Sequence, residues 1–443
     1  MKKYNSYKDS GVEWIGEIPS HWEIRRLKYV SDIYGRIGFR GYTNADLVSE
    51  DEGAITLSPT NIVDGIMNYD KCSYLSWEKY YESPEIMVNN GDVIFVKTAS
   101  VGKNALVENL PKEATLNPQF VVFKNIKCNN KFLYWILQTP IASYQVDNSK
   151  VGSTIPTISQ EKIGNYLLIM PPRKEQDMIV SYINLQTSRI DRIIKAREKK
   201  IKLLEELRNA IISKAVTKGI DSNVETKDSG IEWIGKIPKH WEIGKVKFVC
   251  KINGRIGFRG YTKEDLVQEG EGAYTIGGKH ITNCVLDLSD PEFISWDKYY
   301  ESPEIMVKKG DILTAQRGSL GKTALVREEI GEATINPSLV LINNIKINRI
   351  FLYYYLVSNS FLTYIDVLNT STAVPMISQT QLSNINIPLP EIEEQNEIAE
   401  FLDTETKHID ETISKTEYEI ELLKEYRSSL ITEVVTGKRK VVV

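Results

Sequence analysis

Two segments of the chain approach the sequence of a phosphate-binding loop and then depart from it. Gly318-Ser319-Leu320-Gly321-Lys322-Thr323 ends like a P-loop, but the required glycine five positions before the Gly-Lys pair is replaced by Gln316. The matching stretch of the first half ends Gly102-Lys103-Asn104 and lacks the hydroxyl that would hold magnesium. The sequence therefore does not predict a phosphoryl-transfer site.

Other catalytic patterns are also incomplete. Asn117-Pro118-Gln119-Phe120 lacks the second proline of the Asn-Pro-Pro-aromatic motif of adenine methyltransferases, and Asn336-Pro337-Ser338-Leu339 lacks the aromatic residue as well. The four cysteines form no CxxC pair, and the four histidines are too scattered to argue a nucleophile–base pair. We expect no catalytic residue, no metal site and no cofactor.

Binding chemistry is better represented. The loop Gly35–Thr43 returns unchanged as Gly254–Thr262. Its glycines allow the backbone to come close to a ligand, and its two arginines can bind phosphates or the edge of a guanine base. This motif predicts DNA contacts by Arg36, Arg40, Arg255 and Arg259; the alternative is a packed turn with solvated arginines.

Two further loops differ between the halves. Ser58–Asn61 corresponds to Gly277–His280, and Lys97–Lys103 corresponds to Gln316–Lys322. Both follow β-type runs and carry side chains of the kinds that read base edges, although drift in surface loops would give the same pattern. We predict base reading by Asn61, Lys97, His280, Gln316 and Arg317, phosphate contacts by Lys103 and Lys322, and further DNA contacts by Thr60, Thr98 and Lys279.

These loops belong to a duplicated chain. Asp9–Gly16 returns as Asp228–Gly235, 219 positions later, and the same offset still joins Gln176 to Gln395 without an insertion. A period of this length repeats a whole domain, since solenoid repeats are far shorter. A surface presented twice suits a ligand with two similar sites at a fixed distance, of which duplex DNA is the commonest.

The composition of the chain limits the classes of protein to which it can belong. The chain of 443 residues is 42% hydrophobic and 26% charged, as in ordinary globular proteins, and has no apolar run long enough to span a membrane. The N-terminus lacks a signal-peptide core, so we expect a cytoplasmic protein. The net charge of −4 counts against a surface that is basic throughout, but allows local basic faces.

Each half ends in a long predicted helix, at about Glu175 to Thr217 and Glu394 to Thr436. Apolar residues recur at seven-residue spacing in both helices, without proline, which predicts a coiled coil. Residues 173–227 carry 13 basic and 8 acidic residues, and residues 391–443 carry 7 and 14, so opposite charge favours pairing with each other. The alternative is that each helix only braces its own domain. The predicted seam consists of Ile183, Ile190, Ile194, Ile201, Leu204, Ile211, Leu402, Ile409, Ile413, Ile420, Leu423 and Leu430.

The expected fold is α+β, with two tandem, pseudo-twofold-related α/β domains separated by two long antiparallel coiled-coil helices. The predicted boundaries are 1–172 and 219–390 for the domains, and 173–218 and 391–443 for the helices. The C-terminal Val434–Lys438 is similar to Ala215–Gly219, which leads into the second half. The end of the chain therefore looks set to continue into its own beginning.

Over its whole length the sequence resembles the specificity subunits of type I restriction–modification systems. The resemblance rests on the Ser-Gly-x-Glu-Trp-Ile-Gly-x-Ile-Pro-x-His-Trp segment that opens each half and on the order of Gly-Asp and Gly-Ser-x-Gly-Lys. Ile155–Gln160, its repeat Val374–Gln379 and the proline-rich step into the long helix complete it. The first half departs with Ala99 in place of the first glycine of the loop.

The resemblance implies two target recognition domains, each reading one half of a bipartite DNA sequence. It also implies helices that set the gap and bind two modification subunits, which methylate adenine and are joined by restriction subunits. The chain itself would then not be an enzyme. Three alternatives are an autonomous bivalent DNA-binding protein, a structural adaptor that binds two proteins through its helices, and an enzyme in its own right.

Overall fold

The computed structural model describes residues 3–152, 154–368 and 375–441. The chain divides into two compact units, Met1–Ala196 with Tyr418–Val443, and Arg197–Glu417. Each unit therefore contains one globular region and one part of each of two long helices.

The elements that begin in the first half of the chain alternate short strands with short helices. The strands are β1 (Tyr7–Asp9), β2 (Glu17–Pro19), β3 (Glu23–Arg26), β4 (Asp32–Tyr34), β5 (Leu47–Val48), β6 (Gly53–Leu57), β7 (Ile62–Val63), β8 (Ile66–Met67), β9 (Ser73–Ser76), β10 (Met87–Val88), β11 (Val93–Val96), β12 (Asn104–Leu106), β13 (Ala114–Leu116), β14 (Phe120–Lys124) and β15 (Leu167–Met170). The helices are α1 (Leu27–Val30), α2 (Trp77–Tyr81), α3 (Asn130–Leu137), α4 (Pro140–Ser149), α5 (Gln160–Gly164) and α6 (Arg173–Lys218).

Two sheets form the core of the first unit. One has the strand order β10-β13-β6-β9-β5, in which only β13 and β6 are parallel, and the other has the antiparallel order β12-β11-β14-β4. Because side chains alternate along a strand, Ile94 and Val96 of β11 face the first sheet, whereas Val93 and Phe95 face the helices. The second sheet is thus buried on both faces, as its uninterrupted apolar runs require.

The second half repeats this arrangement. Its strands are β16 (Thr226–Asp228), β17 (Lys236–Pro238), β18 (Glu242–Lys245), β19 (Lys251–Gly254), β20 (Leu266–Val267), β21 (Gly272–Ile276), β22 (Ile281–Thr282), β23 (Val285–Leu286), β24 (Phe293–Ser295), β25 (Ile312–Ala315), β26 (Thr323–Leu325), β27 (Ala333–Ile335), β28 (Leu339–Asn343) and β29 (Asn386–Leu389). Its helices are α7 (Val246–Val249), α8 (Trp296–Tyr300), α9 (Arg349–Leu356), α10 (Asn359–Leu368), α11 (Gln379–Ser383) and α12 (Ile392–Val435). The two sheets have the orders β20-β24-β21-β27 and β19-β28-β25-β26. The predicted α+β class and the two long helices are confirmed.

Within each unit, α6 and α12 pack antiparallel. In the first unit Ile183 shares a core with Val434, and Arg427 Nε donates to Asp191 Oδ1 at 3.1 Å. In the second unit Ala215 shares a core with Leu402. There Arg208 Nε donates to Asp410 Oδ1 at 2.9 Å. The ion pairs run in both directions between the helices, so the opposite net charge of the two helices is only part of their complementarity.

The predicted seam residues are all buried or half-buried. Six are buried: Ile183, Ile190, Leu402, Ile409, Ile420 and Leu430. The other six are half-buried: Ile194, Ile201, Leu204, Ile211, Ile413 and Leu423.

A glutamate at the start of each long helix binds the aromatic segment that opens its half, Trp14 to Trp22 in the first and Trp233 to Trp241 in the second. Glu175 Oε2 accepts from the indole N–H of Trp22 at 3.0 Å, and Glu175 Oε1 lies 2.6 Å from His21 Nε2. Glu394 makes the same contacts with the second-half tryptophan and histidine, both at 2.9 Å. Since Trp22 and its counterpart are fully buried, these carboxylates satisfy donors that would otherwise be unpaired.

The C-terminal segment packs against the N-terminal segment of its own unit. Tyr7 Oη donates to the carbonyl oxygen of Gly437 at 3.0 Å. Gly437 has φ 75°, and a Cβ there would lie 2.4 Å from Pro19 Cδ. Gly219 has the same φ and lies against Pro238 and the matching tryptophan in the second unit. The predicted approach of the chain's end to its beginning is confirmed, with a glycine where left-handed backbone and close packing require one.

Candidate nucleic-acid interface

Four segments of the first unit form one continuous edge, which we call the loop edge. Residues 58–61 follow β6, residues 97–103 follow β11, residues 117–119 follow β13, and residues 151–152 and 154–158 lie beside them. The backbone N–H of Asn117 donates to Leu57 O at 3.0 Å, and that of Lys97 donates to Gln119 O at 2.7 Å. The backbone N–H of Ile158 then donates to Lys97 O at 2.8 Å, so the segments are linked in a row.

The second unit has a matching loop edge, made of residues 277–280, 316–322, 336–338 and 375–377. Asn336 N donates to Ile276 O at 2.8 Å, Gln316 N to Ser338 O at 2.9 Å, and Ile377 N to Gln316 O at 3.0 Å. Residues 369–374, which include the Val374 of the repeated segment, lie outside the described residues. The folding of each half therefore brings both variable loops to the same edge.

The charged residues of the loop-edge segments are all basic. None of these segments contains an aspartate or glutamate in either unit, whereas they carry Lys97 and Lys103 in the first, and Lys279, Arg317 and Lys322 in the second. Segments that carry several cations and no carboxylates of their own favour a polyanion, although Asp290 and Glu292 neutralise Lys279 in the second unit. These segments provide the local basic face that the acidic net charge of the chain does not reveal.

Several of the predicted residues are presented at the edge. Thr60, Lys103, Arg317 and Lys322 are exposed, and Thr98 is half-buried. Thr98 Oγ1 lies 3.0 Å from Thr157 Oγ1, and Arg317 Nε lies 3.2 Å from Met376 Sδ, so each is steadied by the neighbouring segment. These five side chains are placed where a ligand could reach them.

Asn61 and His280 are placed differently, and their assignment as base readers is corrected. Both are 3% exposed. Asn61 Oδ1 accepts from the backbone N–H of Ser58 at 2.9 Å, and its Nδ2 donates to Lys71 O at 3.3 Å. His280 Nδ1 accepts from Gly277 N at 2.9 Å, and Nε2 donates to Asp290 O at 3.0 Å. The two side chains make equivalent bonds and close the same turn from within.

Lys97 and Gln316 occupy equivalent positions with different surroundings. Gln316 is 8% exposed, and its Nε2 donates to Pro337 O at 3.1 Å and Leu339 O at 3.2 Å. The prediction that Gln316 reads a base is therefore corrected: its side chain binds the backbone of the neighbouring segment. Lys97 is half-buried, and burial lowers the pKa of its ammonium group.

Arg36 and Arg255 are buried, at 5% and 6% exposure. Arg36 Nε donates to Leu116 O and its Nη2 to Thr115 Oγ1, both at 3.1 Å, while Nη1 donates to Arg40 O at 3.2 Å. Arg255 makes the equivalent three bonds at 3.1 to 3.3 Å. Burial lowers the pKa of both guanidinium groups. The prediction that Arg36 and Arg255 contact DNA is therefore corrected. The turn is packed, as the alternative held, but these two arginines are buried within it and not solvated.

The remaining cations are engaged with carboxylates. Arg40 Nη1 donates to Glu85 Oε1 at 3.3 Å, and Arg259 Nη1 to Glu304 Oε1 at 3.2 Å. Lys279 is exposed, but its Nζ lies 2.9 Å from Asp290 Oδ2 and 3.0 Å from Glu292 Oε1. A phosphate at any of these three positions must compete with an existing ion pair.

Sequence reasoning missed two features of this region. The Asn-Pro segments at residues 117–119 and 336–338 resemble an incomplete methyltransferase motif in the sequence, which does not predict their place in the loop edge. The glutamates Glu175 and Glu394 precede Gln176 and Gln395, and the same 219-residue offset that relates the two glutamines could have identified them as well.

In the described part of the chain no helix is long and apolar enough to cross a membrane, and no group of three or more His, Cys, Asp or Glu is arranged to hold a metal.

Comparison with known proteins identifies the family. The model of the type I restriction modification DNA specificity domain matches residues 19–205 and again residues 238–422. The chain belongs to this family. Each matched segment begins within the aromatic segment and ends inside a long helix, so the family's unit is the globular region together with part of its helix.

Relatives of known sequence agree with this membership. The MjaVIII specificity subunit of a type I restriction enzyme from Methanocaldococcus jannaschii is 28% identical over 440 residues, covering 96% of this chain and 94% of that protein. The EcoBI specificity subunit of Escherichia coli is 26% identical over 283 residues, covering 61% and 58%.

Two structures share the fold. A chain from a study of complex assembly and conformational transition of the type I R-M system has a TM-score of 0.70 at 18% identity, with 95% of this chain and 99% of that chain covered. The HsdS subunit from Thermoanaerobacter tengcongensis has a TM-score of 0.51 at 20% identity, covering 95% and 98%.

Proposed function

We propose that this protein is the DNA sequence-specificity subunit of a type I restriction–modification complex. Each globular region reads one half of a bipartite target through its loop edge. The observation that carries the proposal is the loop edge itself, which occurs once in each unit, is built from segments without Asp or Glu and bears the loops that differ between the halves. Shared scaffold with differing loops is what two related but non-identical half-site readers need.

The partners follow from the family. Modification subunits, which methylate adenine, bind the long helices, and restriction subunits join through the assembled complex. The chain acts by placing the methyltransferase on its target and supplies no catalytic residue of its own. Its place of action is the cytoplasm, where the DNA is.

Within the loop edge, the exposed cations have distinct roles. Lys103 and Lys322 occupy matched positions and hold phosphates, whereas Arg317 lies in a loop that differs between halves and reads a base. Thr60 and Thr98 donate to the DNA from positions where the first half differs from the second. Lys97 is the one half-buried cation of its segment and reads a base next to Thr98.

A three-arm methyl-transfer experiment tests the proposal. The chain alone, the modification subunits alone and the assembled complex are each incubated with S-adenosylmethionine and a random-sequence duplex library. We expect adenine methylation within one bipartite motif in the assembled complex only. Methylation by the chain alone would make it an enzyme, and sequence-specific binding by the chain alone would favour an autonomous DNA-binding protein. Methylation that ignores sequence in the complex would reduce the chain to an adaptor.

A further inference from the structure

The Asn-Pro segments occupy the middle of each loop edge. Residues 117–119 lie between the segment after β6 and the segment after β11, and are hydrogen-bonded to both through Leu57 O and Lys97 N. Pro118 is exposed, and Asn117 and Gln119 are half-buried. A ligand that contacts the segments on both sides must therefore pass over this one.

The third residue of the segment differs between the halves, and so does its bonding. In the first unit Asn117 Nδ2 donates to Gln119 Oε1 at 3.0 Å, and no described residue accepts a hydrogen bond from Gln119 Nε2. In the second unit Ser338 Oγ donates to Asn336 Oδ1 at 2.6 Å and accepts from Gly278 N at 3.2 Å. The glutamine keeps an amide donor group available, whereas the serine hydroxyl is committed within its own domain.

A buried arginine fixes where this segment begins. Arg36 binds Thr115 and Leu116, the last two residues of β13, and its guanidinium carbon lies 5.2 Å from the ring centre of Tyr42. Tyr42 Oη is in turn 3.0 Å from Thr56 Oγ1 of β6. The arginine thus ties the turn at residues 36–42 to the carboxyl ends of both parallel strands. Arg255, Tyr261 and Thr275 repeat the arrangement in the second unit.

We infer that residues 117–119 form a further DNA-reading segment, in which Gln119 is a specificity-determining residue and Arg36 is the positioning residue. The inference rests on the proposed function. An amide N–H₂ matches the acceptors of a base edge in the major groove, such as guanine O6 and N7 or thymine O4. Two hydrogen bonds from a buried guanidinium, to Leu116 O and Thr115 Oγ1, hold the strand end that leads into this amide, and the third, to Arg40 O, closes the arginine's own turn. Only arginine can make this fork of three bonds.

The first test replaces Gln119 by serine, which gives the first unit the Asn-Pro-Ser segment of the second. The assembled complex is assayed for methylation of duplexes that carry single base changes at each position of the target. We expect Gln119→Ser to reduce discrimination about 5- to 150-fold at one position of the half-site read by the first unit. The half-site read by the second unit is the internal control and keeps its discrimination.

The second test separates positioning from folding. Arg36→Lys keeps the charge but loses the fork, and Arg255→Lys is its matched counterpart. We expect Arg36→Lys to relax discrimination only in the first unit's half-site, whereas Arg255→Lys, whose segment carries the committed Ser338, leaves discrimination in both half-sites unchanged. A merely structural role would lower thermal stability and the yield of complex while leaving every discrimination ratio unchanged. That result, or equal relaxation in both half-sites, would overturn the positioning role.

Different results would contradict the proposed function and the role of residues 117–119. If the unaltered complex methylates no bipartite target, the proposed function is wrong. If it does, and Gln119→Ser leaves all discrimination ratios unchanged, the reading segment is wrong and the proposed function stands. Because Gln119 is half-buried and its replacement already occurs in the second unit, this variant remains informative even if Arg36→Lys does not fold.

Discussion

Replacing Asn61 by alanine should destabilise the turn at residues 58–61 without changing which bases are read. The alanine removes the acceptor of the Ser58 N–H and the donor to Asn68 O and Lys71 O, at a site where Asn61 is 3% exposed. A neutral hydrogen bond contributes about 0.5–1.5 kcal/mol net, and a buried donor left unpaired costs about 1–3 kcal/mol. We therefore expect a local loss of about 2–4 kcal/mol.

The second unit supplies the matched control. Since His280 makes the equivalent bonds to Gly277 N and Asp290 O, Asn61→His should bond Ser58 N and Lys71 O in the same way. Its larger ring adds some strain in a packed site. We expect Asn61→His to recover most of the stability that Asn61→Ala loses.

Amide hydrogen exchange measures the effect locally. Protection of peptides that cover residues 58–76 should fall in Asn61→Ala and largely return in Asn61→His, while peptides that cover residues 277–295 stay unchanged as an internal reference. The methylation motif of the assembled complex should be the same for all three proteins. Normal protection in Asn61→Ala together with a changed base at one target position would refute the argument and restore Asn61 as a base reader.

Three further predictions concern the cations and the helices. Arg317→Ala should reduce discrimination at one target position by about 1–3 kcal/mol, whereas Lys322→Ala should weaken DNA binding equally for all sequences and reduce the slope of log affinity against log salt by about one unit. Binding titrations at several salt concentrations distinguish the two variants. The assignment would be contradicted if Lys322→Ala changed the sequence preference and Arg317→Ala weakened every sequence equally. Leu402→Ala removes a fully buried side chain and should lower the free energy of unfolding, measured by denaturant titration, by about 2–5 kcal/mol. If the variant is as stable as the unaltered protein, the core around Leu402 is not required. A four-residue insertion near Lys199 should change the gap between half-sites and leave their bases unchanged; altered half-sites on methylome sequencing would count against spacing by the helices.

Periodic and repeated features of the sequence predicted the framework well. The heptad spacing predicted helices that the structure places at Arg173–Lys218 and Ile392–Val435, because such a pattern is long and needs no knowledge of tertiary contacts. The apolar run at residues 93–96 likewise predicted a strand. The offset of 219 residues predicted that both halves would fold alike.

The roles of individual polar residues were harder to predict. A loop containing Arg, Asn and Gln has the same composition whether these side chains face a ligand or turn inward to bond backbone carbonyls. Arg36 and Gln316 turn inward to carbonyl groups that are distant in sequence: Leu116 O at the end of β13, and Pro337 O in the segment between β27 and β28. Only the tertiary structure brings those carbonyls into reach, so the loops could be located from sequence but their exposed residues could not.

Exchange of one domain tests the central claim most directly. Because the offset needs no insertion, residues 9–172 can replace residues 228–391 position by position. The resulting chain, expressed with its modification subunits, is assayed by methylome sequencing beside the unaltered chain. We predict an asymmetric bipartite motif for the unaltered chain and an inverted repeat of its first half-site for the exchanged one. An exchanged chain that assembles and methylates but keeps the asymmetric motif would contradict the claim that each globular region reads one half of the target.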